Sequence, residues 1–166
     1  MKSIKELYAF KGAKTPTFFF NVKYSFTSIG ARHIEFIKKV AMDSKDSARI
    51  CLHKDINSDL HNMVIVHHKG RYIRPHKNPT HSKMYQIIEG RMRIIGIDDI
   101  QNKLFDSILG AKNQQFLRIE SNIYLLLLPL TPLVVFCETA LGPFGVRGGG
   151  KFMRPLAQNK QQMRRK

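Results

Sequence analysis

An all-β barrel or sandwich entered through a short helix is the fold this sequence predicts. Three features predict it: a succession of short apolar runs, turn residues between them, and one stretch of helical periodicity. The helical stretch covers residues 31–40, where Ile34, Ile37 and Val40 recur at helical spacing while Lys38 and Lys39 face away. From residue 48 onward the period changes. Runs at 49–52, 62–67, 72–74, 84–88, 91–97, 104–109, 115–119, 123–128 and 133–138 read as nine short strands. Lys69-Gly70, Asn78-Pro79, Glu89-Gly90 and Asp98-Asp99 lie between runs, where a chain would reverse, so antiparallel hairpins are expected. The most apolar part, 123–137, is shorter than a membrane span and is broken by Pro129 and Pro132. It therefore reads as a buried pair of strands.

With 166 residues, 43% of them hydrophobic, the chain is long enough for one domain with its own core. Twenty-eight Lys and Arg against twelve Asp and Glu give a formal charge of +16, a field that attracts phosphates, nucleic acid or an anionic membrane. Cys51 and Cys137 sit singly inside apolar runs, which argues against a disulfide framework or a zinc knuckle and for a reducing compartment. The first twenty residues alternate Lys with apolar residues and never form the continuous apolar segment of a secretory leader.

Three regions follow: an N-terminal extension (1–30), the barrel (31–144) and a basic tail (145–166). The tail contains Gly148-Gly149-Gly150, seven Lys or Arg and no acid, and is expected to be mobile apart from a small ordered portion around Phe152 and Met153. No RNP-like segment, helix-turn-helix signature or zinc finger accompanies the charge.

The segment from Gly70 through Arg71-Tyr72-Ile73-Arg74-Pro75-His76-Lys77 to Asn78, followed by Ile87-Ile88-Glu89-Gly90, resembles the first motif of the cupins. Closer still is the WbuC-type cupin family, to which Cys51-Leu52-His53, Ile97-Asp98-Asp99, Leu128-Pro129-Leu130 and Gly142-Pro143-Phe144 are also similar, in order, over roughly residues 31–144. The resemblance implies a double-stranded β-helix (jelly-roll-like) barrel with a short helical lead-in and a site inside the barrel. It also implies an association with bacterial surface polysaccharide and nucleotide-sugar metabolism. Cytoplasmic location, at most peripheral to the inner membrane, and pairing into a homodimer are further expectations.

Cupin metal sites take two His from a His-x-His, then a Glu, then a third His from a later strand, a donor set suited to a divalent transition metal. At the matching positions this chain has His76, Asn78, Lys83 and Leu125. An amide is a poor ligand, Leu is none, and an ammonium repels a cation, so no metal cofactor is expected. A divalent metal held through His76 and His81 is the minority alternative.

Metal-independent sugar isomerases and epimerases of this fold use His as base and Tyr as acid, which assigns His76 with Tyr72 or Tyr85 as candidate catalytic residues. Arg74, Lys83, Asn78, His81 and His53 are candidate ligand-binding residues, with the cations suited to a phosphorylated or otherwise anionic sugar. Strand alternation would put Tyr72, Arg74 and His76 on one inward face. The alternative function is a non-catalytic basic barrel that contacts nucleic acid, an anionic membrane or a protein through its tail.

Overall fold

Strand β4 (Leu60–His68) organises the molecule, because it is buried on both faces. The computed structural model describes residues 6–11, 13–21, 25–143 and 151–153. Among these, β1 (Leu7–Ala9), β2 (Thr17–Phe20), β3 (Ala48–Cys51), β4, β6 (Lys83–Glu89), β9 (Phe116–Ile119) and β11 (Leu133–Leu141) form a seven-stranded sheet in the order β1-β2-β3-β4-β11-β6-β9. A five-stranded sheet runs β12-β5-β10-β7-β8, from β5 (His76–Lys77), β7 (Arg91–Ile97), β8 (Lys103–Gly110), β10 (Tyr124–Pro129) and β12 (Lys151–Phe152). The N-terminal region thus joins the barrel: β2 pairs in parallel with β3, placing Phe19 beside Cys51.

Helix α1 (Ala31–Ser44) packs on the outer side of the seven-stranded sheet. It runs four residues past the expected end at Val40, because Ala41 and Met42 are good helix formers. The left-handed Lys45, whose N–H donates to the Met42 carbonyl at 3.2 Å, then closes it. Its inward residues His33, Ile37 and Ala41 are spaced by four. Ile37 and Ala41 meet Phe20, Ile50, Val64, Val66 and Val135 in one apolar cluster. The opposite faces of the same strands, with Met63, Ile65 and Phe136, join Tyr85, Met92, Ile94, Leu109, Leu125 and Leu127 in the core between the sheets.

Two sequence expectations are corrected. The run at 72–74 is not a strand. Pro75 lacks the N–H a ladder needs, so the extended pairing begins only at His76, and Tyr72 stands 76% exposed. Glu89-Gly90 does not close a hairpin within one sheet, for β6 and β7 belong to opposite sheets. Gly90 is the corner between them, with φ +79°, and a Cβ there would lie 2.5 Å from the Leu133 carbonyl oxygen. Asp98-Asp99 does turn a hairpin between β7 and β8, where the Asp98 carboxylate accepts from the N–H groups of Ile100 and Asn102.

The apolar stretch 123–137 supplies β10 and β11, which are likewise split between the sheets. Among the described residues no helix is long and apolar enough to cross a membrane. Phe144 and all of the basic segment except 151–153 lie outside the described residues.

Because Phe20 is almost wholly buried between sheet and helix, Phe20→Ala is expected to cost about 3–5 kcal/mol in denaturant unfolding. Tyr72→Ala is expected to change stability by less than about 0.5 kcal/mol. Equal, small effects would show that β2 does not belong to the folded unit.

Candidate functional site

The alternation of three neighbouring strands builds one wall of a cavity of about 550 Å³ between the sheets. On β4 the inward residues are His61, Met63, Ile65 and His67; on β3 they are Arg49 and Cys51, followed by His53; on β2 they are Thr17 and Phe19. Lys83 of β6 and Glu138 of β11 complete this side, while His76, Lys77 and Leu127 enter from the second sheet.

Register brings the charged pair together. Lys83 stands opposite Ala140, and Tyr85 stands opposite Glu138. Lys83 and Glu138 are therefore diagonal neighbours on one inward face, with the Lys83 Nζ 3.3 Å from the Glu138 Oε1. Both residues are only 8% exposed. Burial by itself would push the Glu138 pKa up, but the Lys83 ammonium, the nearby His76 and the hydrogen-bonding groups of Lys83 and Tyr85 hold it below the ordinary carboxylate value. Burial first, and then the Glu138 charge, raise the Tyr85 hydroxyl well above its usual pKa.

The histidines are kept neutral. Burial lowers His67 to about 4 against the opposing pull of Glu138, and its Nδ1 shares a 2.7 Å hydrogen bond with Ser47 Oγ. Burial and then the Lys83 charge lower His76. The Nδ1 of His76 lies 3.1 Å from the Arg74 carbonyl, which can only accept. That contact assigns the proton to Nδ1 and leaves Nε2 with the lone pair. His53 is lowered to about 4 by burial and by His61, whose ring centroid is 4.0 Å away; burial also lowers His61.

Of the residues singled out in the sequence, His76, Tyr72, Lys83, Asn78 and His53 line the cavity. Asn78 uses its Oδ1 to accept from the N–H groups of Thr80 and His81, while its buried Nδ2 has no partner among the described residues. Tyr85, Arg74 and His81 are not on the cavity wall. Tyr85 is fully buried behind Glu138. Arg74 is exposed, donates from Nη2 to the Met153 carbonyl at 3.0 Å and lies over the Phe152 ring, so the shared inward face expected for Tyr72, Arg74 and His76 does not exist. Lys77 is paired at 2.6 Å with Asp99 and covers the Tyr124 ring.

Glu138, His61 and Arg49 were not singled out in the sequence. One signal was available for the first, as Glu138 is the only acid in an otherwise apolar run. The period-two placement of His61 and His67 on β4 was another.

Leu125, at the position where a cupin's last histidine ligand is expected, is the direct cross-strand partner of His76. The backbone of that site is therefore present, but its donors do not suit a divalent ion. One imidazole remains, Leu125 offers no lone pair, and the ammonium of Lys83 already neutralises the nearby carboxylate. Among the described residues no group of three or more His, Cys, Asp or Glu could hold a metal ion.

No family profile and no curated protein matches the chain. Solved structures do. The capsular polysaccharide assembling protein CapF from Staphylococcus aureus aligns with TM-score 0.57 and 11% identity over 66% of this chain and 32% of that one. A second CapF structure, with the inhibitor 3-isopropenyl-tropolone, gives the same score and identity over 66% and 33%. The 11S allergen from Cocos nucifera gives 0.52 and 16% over 64% and 30%. This chain spans about a third of the length of each. The likeness shows the fold: an all-β cupin barrel, here built around a cavity with a buried ammonium–carboxylate pair and neutral imidazoles.

Removing one partner leaves the other charge buried, so Lys83→Met is expected to destabilise the protein by about 3–5 kcal/mol, with much of that recovered in the Lys83→Met/Glu138→Leu double variant. A double variant no more stable than the single one would mean that the pair is not coupled.

Stability is also expected to fall on acidification. An unfolded His67 takes up a proton near pH 6.5, whereas the folded chain resists it until about pH 4, so stability is lost as pH falls through that window. Glu138 acts in the same direction at lower pH, its contribution being full above the ordinary carboxylate pKa and lost as pH falls toward its depressed one. Melting temperatures measured between pH 7 and 4 should show a steep slope, flattened in His67→Gln. The same slope in both proteins would remove His67 from this account.

Proposed function

We propose that this chain is a WbuC-like cupin of bacterial surface polysaccharide metabolism, whose cavity binds an anionic sugar or nucleotide-sugar and works without a metal. The observation that carries the reading is the charge of the cavity wall: it bears four cations, Arg49, Arg71, Lys77 and Lys83, three of them paired with carboxylates and Arg49 left uncompensated among the described residues, and the imidazoles between them are neutral. A wall of that sign favours an oxyanion. The neighbouring Phe19, Met63, Ile65 and Leu127 offer apolar surface to a ring. The fold shared with a capsular polysaccharide assembling protein supports the same setting.

The chemistry that suits this wall is isomerisation or epimerisation next to a carbonyl. His76, with Nε2 unprotonated, is the base that takes a proton from the carbon beside the carbonyl. The Lys83 ammonium stabilises the oxyanion that develops as the carbonyl becomes an enolate. In an isomerase His76, after exchanging its proton with solvent, delivers one to the former carbonyl carbon, while the hydroxyl proton of the carbon it deprotonated is lost and the former carbonyl oxygen gains one. In an epimerase a second acid delivers a proton to the opposite face of the same carbon and His76 releases its own to solvent. Of the two tyrosines, Tyr72 at the mouth is the one able to reach a ligand as proton donor, while Tyr85 is fully buried away from the cavity wall. The unpartnered Nδ2 of Asn78 is suited to a sugar hydroxyl.

Calorimetric titration with UDP-sugars, together with NMR detection of solvent deuterium entering the sugar, tests this. Binding is expected to weaken about tenfold in Asn78→Ala and to remain unchanged in Arg74→Ala. Deuterium incorporation is expected to disappear in His76→Ala. Elemental analysis of protein purified without chelator should give well under one metal per chain; about one Zn, Fe, Mn or Ni, lost with His76→Ala, would overturn the metal-free reading.

A further inference from the structure

Three of the four cations on the cavity wall have a carboxylate partner: Lys83 with Glu138, Lys77 with Asp99, and Arg71 with Asp46. Arg49 has none among the described residues, and all twelve Asp and Glu of the chain lie among those residues. Its guanidinium is nevertheless held in place. The Nε of Arg49 donates to Thr17 Oγ1 at 2.9 Å, and the Thr17 hydroxyl donates in turn to the Thr15 carbonyl at 2.8 Å. This two-step relay fixes the plane of the fork and leaves the terminal nitrogens uncommitted to any carboxylate. A half-buried, oriented and uncompensated guanidinium facing a cavity is a receptor for an oxyanion, because its parallel N–H groups match two oxygens of one acid group.

We propose that Arg49 is the oxyanion anchor of the cavity, taking one carboxylate or phosphate group of the bound sugar derivative, with Thr17 as its positioning residue. The inference rests on the anionic-sugar reading and names the group that recognises the charge. The Phe19 ring, two residues beyond Thr17 on β2, and the His53 ring, just past the end of β3, stand edge to face at 5.5 Å on the same cavity wall. Arg49 also contributes to the field that keeps His53 neutral.

The test uses the full chain and two readouts. The first is calorimetric titration with glucuronate, glucose 1-phosphate and UDP-glucose, the first separating a carboxylate from the phosphate of the others, with neutral glucose as control. Arg49→Met is expected to weaken binding of the anionic ligands about 30-fold, Arg49→Lys about 5-fold and Thr17→Val a few-fold, while glucose is unaffected. The second is the NMR titration midpoint of His53 with and without inorganic phosphate. Phosphate seated on Arg49 should raise that midpoint in the wild type and not in Arg49→Met. The other groups acting on His53, namely His61, Asp55 and the Asn62 backbone, are the same in both.

Affinity within twofold of wild type in Arg49→Met, with His53 unmoved by phosphate, would overturn the anchor and leave the sugar reading standing. A His53 response that depends on Arg49, while the wild type binds none of the sugar derivatives, would keep the anchor and overturn the sugar reading. No response in either readout would overturn both.

Discussion

The whole arrangement depends on the double burial of β4. Its even and odd residues serve different cores: Val64 and Val66 pack toward α1, whereas His61, Met63, Ile65 and His67 face the cavity. A one-residue slip exchanges the two faces of a strand. Here a slip would drive two histidines into the helix interface and turn valines into the cavity, so both faces enforce one register. That register passes to β3 on one side and β11 on the other, and through β11 to β6. The positions of Arg49, Glu138 and Lys83 all follow from it.

The electrostatics of the cavity follow from the same constraint. A lone carboxylate buried at the Glu138 position would be driven toward its protonated form. The diagonal placement of Glu138 and Lys83 lets each charge offset the burial of the other. The net result is a wall that stays cationic at neutral pH without charging its histidines.

Much of the fold was legible in local pattern. The strand expected at 91–97 coincides with β7, and eight of the nine predicted runs overlap strands. What local pattern could not show is which sheet a strand joins, and Glu89-Gly90 illustrates the difficulty. Its residues are those of a reversal, but the direction in which Gly90 turns the chain is set by contact with the Leu133 backbone, more than forty residues away in sequence. The run 72–74 failed because Pro75 removes a donor where the ladder would begin. The strand at Thr17–Phe20 carried its own β-branched and aromatic signal, overlooked because that stretch was weighed only as a leader. For the site, a family pattern picked out His76, Asn78 and Lys83 individually. The carboxylate that stabilises Lys83 lies on another strand, and only cross-strand register brings it close. Arg49 was passed over as one more charge in a strongly basic chain, and its distinction is the absence of a carboxylate partner among the described residues, which no single-strand pattern displays.

The placement of β5 has a consequence for how the protein is made. This two-residue strand lies between β10 and β12, with His76 facing Leu125 on one side and Phe152 on the other. As the chain leaves the ribosome, His76 emerges with neither flanking strand yet synthesised, whereas β2, β3 and β4 are already available to pair. One wall of the cavity can therefore form early in translation, and the wall that carries His76 must wait for segments made much later. Nascent chains stalled before residue 150 would hold a partly built cavity with His76 on an open sheet edge, so binding capability waits until the β12 segment has been made, after most of the barrel has folded.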